Sequence, residues 1–386
     1  MMNEKEKWLN RILEKIVQEI SITKTMVDKA VDSYNAVGNW LGDGLVYDVV
    51  IAPQGSMNLG TTNKPITDKD DYDIDLVCLL ENGQSLKAEE IKKIVGNRLK
   101  EHEVYKEKIL KEGEGKRCWK MQYDEFHMDI LPCVPALVYE EPKKTEIRLT
   151  HKQDNRYFDK FSNPYGYRIW FESRMDTILK EQKKKYAMDN NTTIEKVPMY
   201  RVKTPLQMVI QLLKRHRDMC FQNDKENAPI SIIITTLAAQ AYHGESSVYE
   251  ALCNTIKHLS DHIKVKNGVE WVENPVMPDE NFADKWHEFP QRKRAFILWV
   301  QKAYRDFVVK PLSVEGLDRI GNIFGESLGK APVNRALAKI AEETKNRREE
   351  NSLYSSGLKT GLTTAVALGS KVVKGHTFFG NYEKFN

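Results

Sequence analysis

The chain has no apolar run approaching the ~20 residues that cross a bilayer, and its opening residues, MMNEKEKWLN, hold no apolar signal core. The expectation is a cytoplasmic protein with no membrane segment. Zinc spacing is lacking too. The five cysteines, Cys78, Cys118, Cys133, Cys220 and Cys253, form no CxxC pair, and no His/Cys cluster has ligand spacing. Their odd number and apolar surroundings predict reduced, buried thiols. Charge of one sign is scarce: the net value of +4 argues against a general polyanion binder. The run Lys183-Lys184-Lys185 reads as a solvated face. No internal repeat is present. What remains is a 386-residue chain, 41% hydrophobic and 30% charged, long enough for two or three soluble domains.

The most informative stretch runs from Gln54 to Leu80. Gly55-Ser56 follows the apolar run Val49-Val50-Ile51-Ala52, and Asp73-Ile74-Asp75-Leu76-Val77 comes later. On a strand, residues two apart share a face, so Asp73 and Asp75 project together while Ile74 and Leu76 face a core. Paired carboxylates repel, and a half-buried strand tolerates them best beside a neutralising cation. Hard oxygen donors of this kind suit Mg²⁺, which keeps waters and shares its sphere with phosphates. Asp129, in Phe126-His127-Met128-Asp129-Ile130-Leu131-Pro132, supplies a third carboxylate on another short strand. Three such groups can hold two metal ions for an in-line displacement. Gly55 allows close backbone approach to phosphate, and Ser56 offers a hydroxyl and an N–H. Asp71/Asp73 is a competing register. Asp73/Asp75 is preferred because Leu76-Val77-Cys78-Leu79-Leu80 continues the strand beyond it.

These residues carry a resemblance. GS, then D-h-D-h-h, then h-h-D-h on a later strand is similar to the polymerase-β-like nucleotidyltransferases. The wider wording, QGS…GT…P…DYDIDLV, resembles the bacterial CD-NTases (DncV-like), relatives of cyclic GMP-AMP synthase and oligoadenylate synthetase. The resemblance covers residues 1 to about 350. It implies an α+β palm braced by a long N-terminal helix, then a helical C-terminal lobe like that of oligoadenylate synthetase. It implies catalytic and metal roles for Asp73, Asp75 and Asp129, with two Mg²⁺ ions or Mn²⁺ in their place. It also implies nucleotide contacts from Gln54, Gly55, Ser56, Lys214 and Ser231, the last two as a lysine on one helix and a serine at the start of the next. A zinc thumb, present in cyclic GMP-AMP synthase, has no counterpart here.

In chain order, residues 5–38 read as one long helix on the spacing of Trp8, Leu9, Ile12, Leu13, Ile16, Val17 and Ile20. Gly38–Gly44 reads as a break and Leu45–Ala52 as a strand. Ser85–His102 reads as a helix capped by Ser85. Strands are expected around Ile109, Cys118–Tyr123, Phe126–Leu131 and Ile147–Thr150. Ser162–Tyr167 reads as a loop whose tyrosines stack on bases or pack beneath it. Thr204-Pro205 starts a strong helix, Ser231 falls in the first turn of another, and Asn274–Phe282 is a Pro-rich turn. Helices follow over Arg292–Phe307, Ser313–Ile323 and Val333–Arg348. The division is 1–175, 176–354 and a flexible tail, 355–386. Aromatic tail residues such as Phe378, Phe379, Tyr382 and Phe385 suit a regulatory protein partner.

The resemblance implies joining of ATP, GTP or other nucleoside triphosphates into a cyclic oligonucleotide with release of pyrophosphate, in anti-phage (CBASS) signalling. The wording PISIIITTLA and HTFFG is similar to the group making adenine-rich trinucleotides. The alternatives are a linear oligoadenylate or poly(A)-type enzyme and a catalytically silent partner-binding module. No nucleic-acid activator is required by the charge pattern.

Overall fold

The N-terminal segment predicted as one helix is two in the structure, a computed structural model. It describes residues 2–67, 70–136, 145–198 and 201–350, and the pairs 354–355, 362–363 and 371–372. α1 (Glu4–Ile20) starts at Asn3, whose side chain accepts from Glu6 N while the Glu6 carboxylate accepts from Asn3 N. Ser21 is extended, and its Oγ donates to Val17 O at 2.7 Å. Thr23 then accepts from Met26 N at 3.2 Å and caps α2 (Lys24–Gly44). Hydroxyl side chains that satisfy local backbone groups end one helix and begin the next. The break expected at Gly38–Gly44 lies inside α2. A Cβ at Gly38 would stand 3.1 Å from Ile51, so this glycine serves close helix-on-strand packing.

The two helices serve different cores. α1 buries Leu9, Ile12, Leu13, Ile16 and Ile20 in a helical cluster, and α2 sets Val27, Ala30, Val37 and Leu41 against a sheet. That six-stranded sheet has the order β1 (Val49–Gln54), β2 (Tyr72–Leu80), β4 (Phe126–Pro135), β5 (Ile147–Gln153) and β6 (Arg156–Ser162), with β3 (Trp119–Gln122) also on β4. β2 and β4 are parallel, and the other pairs are antiparallel. The short α3 (Gly55–Asn58) follows β1. One sheet face is covered by α2, α4 (Ala88–Lys100) and α5 (Glu103–Glu112). α4 begins at Ala88, not Ser85, because the Glu90 carboxylate accepts from Lys87 N at 2.7 Å. Ile109, expected on a strand, is buried in α5.

The second core gathers α1, α6 (Pro164–Ser173), α7 (Asp176–Asp189), α8 (Pro205–Cys220), α9 (Ser231–Ala241) and α10 (Val248–His258). The Ser162–Tyr167 loop is a helix start instead: Asn163 Oδ1 accepts from Gly166 N at 2.8 Å and Pro164 takes the first helical position. Strands β7 (Lys264–Lys266) and β8 (Val269–Trp271) pair, and β9 (Glu273–Asn274) with β10 (Met277–Asn281) makes a hairpin of the expected Pro-rich turn. Then come α11 (Lys285–Glu288), α12 (Pro290–Tyr304), α13 (Lys310–Ser313), α14 (Leu317–Leu328) and α15 (Lys330–Glu349), which packs along α1. Tyr354–Ser355 pairs with Leu362–Thr363 and Lys371–Val372. The tail's Phe378, Phe379, Tyr382 and Phe385 lie outside the described residues. Cys78 and Cys133 are buried as expected, whereas Cys118, Cys220 and Cys253 are only partly so. Among the described residues no helix is long and apolar enough to cross a membrane.

Candidate active site

Alternation along β2 places Tyr72, Ile74, Leu76, Cys78 and Leu80 under the helices, and Asp73 and Asp75 on the opposite face. β4 alternates the same way, with Phe126, Met128 and Ile130 in the core and His127 and Asp129 opposite. The parallel register sets Asp73 beside His127 and Asp75 beside Asp129. Neighbouring strands lie ~4.8 Å apart, so the three predicted carboxylates share one face at one end of the sheet. Asp71 precedes the strand, and its carboxylate is taken by Gln122 at 2.7 Å and His127 at 3.0 Å. Asp71, the outer member of the competing register, is thus engaged by neighbouring side chains.

The charges are strained. Burial, then the Asp129 and Asp73 carboxylates, push Asp75 up to about 6. Burial and Asp129 also raise Asp73. A cation placed here would relieve both effects.

Gln54 ends β1 directly opposite Asp75. Gly55 follows with φ +60°, a left-handed conformation that favours glycine, and a Cβ there would meet Asp75 Oδ2 at 2.4 Å. The turn thus presses its backbone against the carboxylate. Ser56 Oγ pairs with Thr62 Oγ1 at 3.0 Å, and Ser56 O accepts from Thr61 N at 2.9 Å.

α8 clamps the segment after this turn. Thr204 and Gln207 cap the helix reciprocally, and Leu206, Val209, Ile210, Leu212 and Leu213 are fully buried. Its polar side faces the loop. Lys203 Nζ donates to Gly60 O at 2.7 Å, Gln207 to Leu59 O at 2.9 Å and Lys214 Nζ to Thr61 O at 3.1 Å. Gln211 and Arg215 grip Thr62 O at 2.8 Å and Lys64 O at 2.6 Å. Burial, with Arg217 nearby, pushes Lys214 down to about 8, against the opposing pull of Asp75 and Asp73. Burial beside Lys214 takes Lys203 down to about 7. Lys203, Gln207 and Gln211 did not figure among the expected site residues. Gln207 and Gln211, four residues apart in the apolar first half of α8, with Lys203 just before it, were the available signal. Ser231 is the first residue of α9, and its Oγ accepts from Arg217 at 3.3 Å. Arg217 thus links the Lys214 helix to the Ser231 helix.

The donor set fits a hard divalent cation: carboxylates, one of them half-buried and held off its ordinary ionisation, beside a glycine turn. Among the described residues no three His, Cys, Asp or Glu side chains are close enough to hold an ion unaided. Water and substrate phosphate would complete the sphere, which is the coordination Mg²⁺ favours. A cavity of about 710 Å³ opens beside Cys118 and Lys120, walled also by Lys116, Arg117, His151 and Lys152.

A sheet with acids on adjacent parallel strands, a glycine turn beside them and a helical second lobe defines a polymerase-β-like nucleotidyltransferase. The sequence model of the cyclic GMP-AMP synthase DncV-like nucleotidyltransferase domain matches residues 49–133. A c-di-GMP synthase of Roseivirga ehrenbergii is 31% identical over 387 residues, spanning 97% of each chain. The cyclic dinucleotide synthase CdnG of Bradyrhizobium diazoefficiens is 25% identical over 72% of this chain and 70% of its own length. The solved Bradyrhizobium diazoefficiens CdnG in complex with GTP superposes with a TM-score of 0.67 at 21% identity, covering 86% of this chain and 99% of that one. The chain belongs to the DncV-like CD-NTase family.

Proposed function

We propose that this chain is a Mg²⁺-dependent synthase that joins two nucleoside triphosphates into a cyclic dinucleotide, releasing pyrophosphate at each bond. The observation that carries this reading is the register of Asp75 beside Asp129 on parallel strands, with Asp75 pressed against the Gly55 turn. Asp73, Asp75 and Asp129 would be the residues that hold divalent ions, and Asp129 would also take the proton of the attacking ribose hydroxyl. That hydroxyl bonds to the α-phosphorus as the bond to pyrophosphate breaks. Bound divalent ions supply charge neutralisation on the leaving pyrophosphate. Gln54, Ser56, Lys214 and Ser231 steady the donor triphosphate, since phosphoryl transfer depends on placement and charge compensation. The cavity lined by Cys118, Lys120, Lys116, Arg117 and Lys152 gives the second nucleotide room, and Cys118 on its wall lies 3.2 Å from Asp129.

GTP is the favoured substrate. One relative is named for c-di-GMP, another for cyclic dinucleotides, and the solved CdnG holds GTP. An adenine-rich trinucleotide, suggested by the C-terminal wording, has less support. The product serves as a second messenger in anti-phage signalling. The test is incubation of the full chain with each labelled triphosphate and Mg²⁺, then phosphatase and mass analysis. The wild type should yield a phosphatase-resistant guanine-containing ring. Asp73→Asn and Asp75→Asn should lower product more than a thousandfold, and retained synthesis would refute the site. A phosphatase-sensitive product would mean a linear-chain enzyme.

A further inference from the structure

Among the described residues, the Asp129 carboxylate receives one side-chain hydrogen bond, from Cys118, whose Sγ stands 3.2 Å from Oδ2. The residues around this thiol are clamped from both sides. Lys92, on α4 and fully buried, donates from Nζ to Gly115 O and to Cys118 O, each at 2.9 Å. Burying a lysine cation is unfavourable, and a leucine would fill the same space more cheaply. Here the ammonium fixes two carbonyls of the turn that leads into β3. Trp119, the next residue, donates from Nε1 to Lys92 O at 3.0 Å. Its ring lies over Gly96, where a Cβ would stand 2.0 Å from Trp119 Cζ2. Cys118 is therefore bracketed by two contacts to α4 and directed at Asp129.

We propose that Cys118 is a positioning residue, whose thiol holds Asp129 Oδ2 and leaves Oδ1 to the ions and the reacting hydroxyl. The inference rests on the role proposed above for Asp129. A thiol suits the task because it is a weak donor. It orients the carboxylate without competing strongly for the electron density an ion requires. Groups that orient a metal ligand from behind commonly change affinity or activity by ten- to a hundredfold.

The test compares Cys118→Val, which keeps bulk and removes the donor, with Cys118→Ser, which keeps a donor, and with Cys118→Ala in case valine perturbs folding. In the full chain, valine and alanine should lower kcat about tenfold with nucleotide KM within about twofold and an unchanged melting temperature. Serine should restore most of the rate. Mn²⁺ binding in the presence of a non-hydrolysable triphosphate, followed by electron paramagnetic resonance, should weaken by a similar factor with valine and not with serine. Unchanged kcat and Mn²⁺ affinity in the valine and alanine variants would overturn the proposal, as would equal losses with serine. Asp129→Asn separates the two levels. If it is inactive, the Cys118 variants judge the positioning role alone. If it retains activity, the role of Asp129 itself falls.

Discussion

β2 has two faces that share a backbone and little else. Ile74, Leu76, Cys78 and Leu80 are wholly buried against α2, α4 and α5. One residue out of phase, Asp73 and Asp75 crowd negative charge onto the other side. Farther along that side, Val77 and Leu79 pack with Leu131, Cys133, Ile147 and Leu149, so the polar site occupies only the strand's first half. The difference shows how a strand's period of two lets one element hold the fold with alternate residues and hold the chemistry with the rest. The acids are tolerable because the apolar residues between them anchor the strand. A one-residue slip would place both carboxylates in the core, so the same pattern fixes the register.

The comparison breaks most strongly on the packed face. Ile74→Ala should cost about 3 kcal/mol of stability, seen as a lower denaturant midpoint. Activity per folded molecule should stay near wild type, because the carboxylates keep their strand. A loss of activity larger than the loss of folded protein would show that the faces are not separable. Next comes the turn. Gly55→Ala forces an alanine into φ +60° with its Cβ 2.4 Å from Asp75 Oδ2. The backbone term alone is about 1–2 kcal/mol, and Asp75 must also move. Stability and activity per folded molecule should both fall, whereas Ile74→Ala lowers only the first, which can be checked by assaying the two variants side by side.

Local signals made much of this legible. The alternation around Asp73 and Asp75, the run into Gly55 and the Thr204-Pro205 helix start each depend on neighbours in sequence. The starts of α6 and α2 were equally local, at Asn163-Pro164 and at Thr23, but were hidden inside segments with an apolar or aromatic pattern. The α8 clamp was legible only by half. Polar residues at positions 203, 207, 211 and 215 mark a stripe, yet their partners are carbonyls about 150 residues earlier. Nothing in the spacing of a helix names the loop that it holds. The thiol at Asp129 was invisible for the same reason, because it depends on how β3 pairs with β4 and how α4 lies behind it.

The smallest expected effect is also the sharpest probe of the polar face. Asp75 ionises near 3.8 when unperturbed and is pushed up to about 6 in the fold by burial, Asp129 and Asp73. The folded state therefore binds its proton more tightly than the unfolded chain does. That contribution favours folding at low pH and is lost as pH rises through about 6. Taking the metal-free protein from pH 7 to pH 5 should add about 1 kcal/mol from this group. Asp75→Asn removes the titration, so the stability difference between wild type and variant should change by that amount across the window. Denaturant melts of both proteins at the two pH values, in chelator, measure it. Mg²⁺ with nucleotide should reverse the trend, because ions that need the ionised carboxylate must then compete with the proton. A difference that stays flat in chelator would mean that Asp75 is solvated, and the polar face would not be under the strain its neighbours impose.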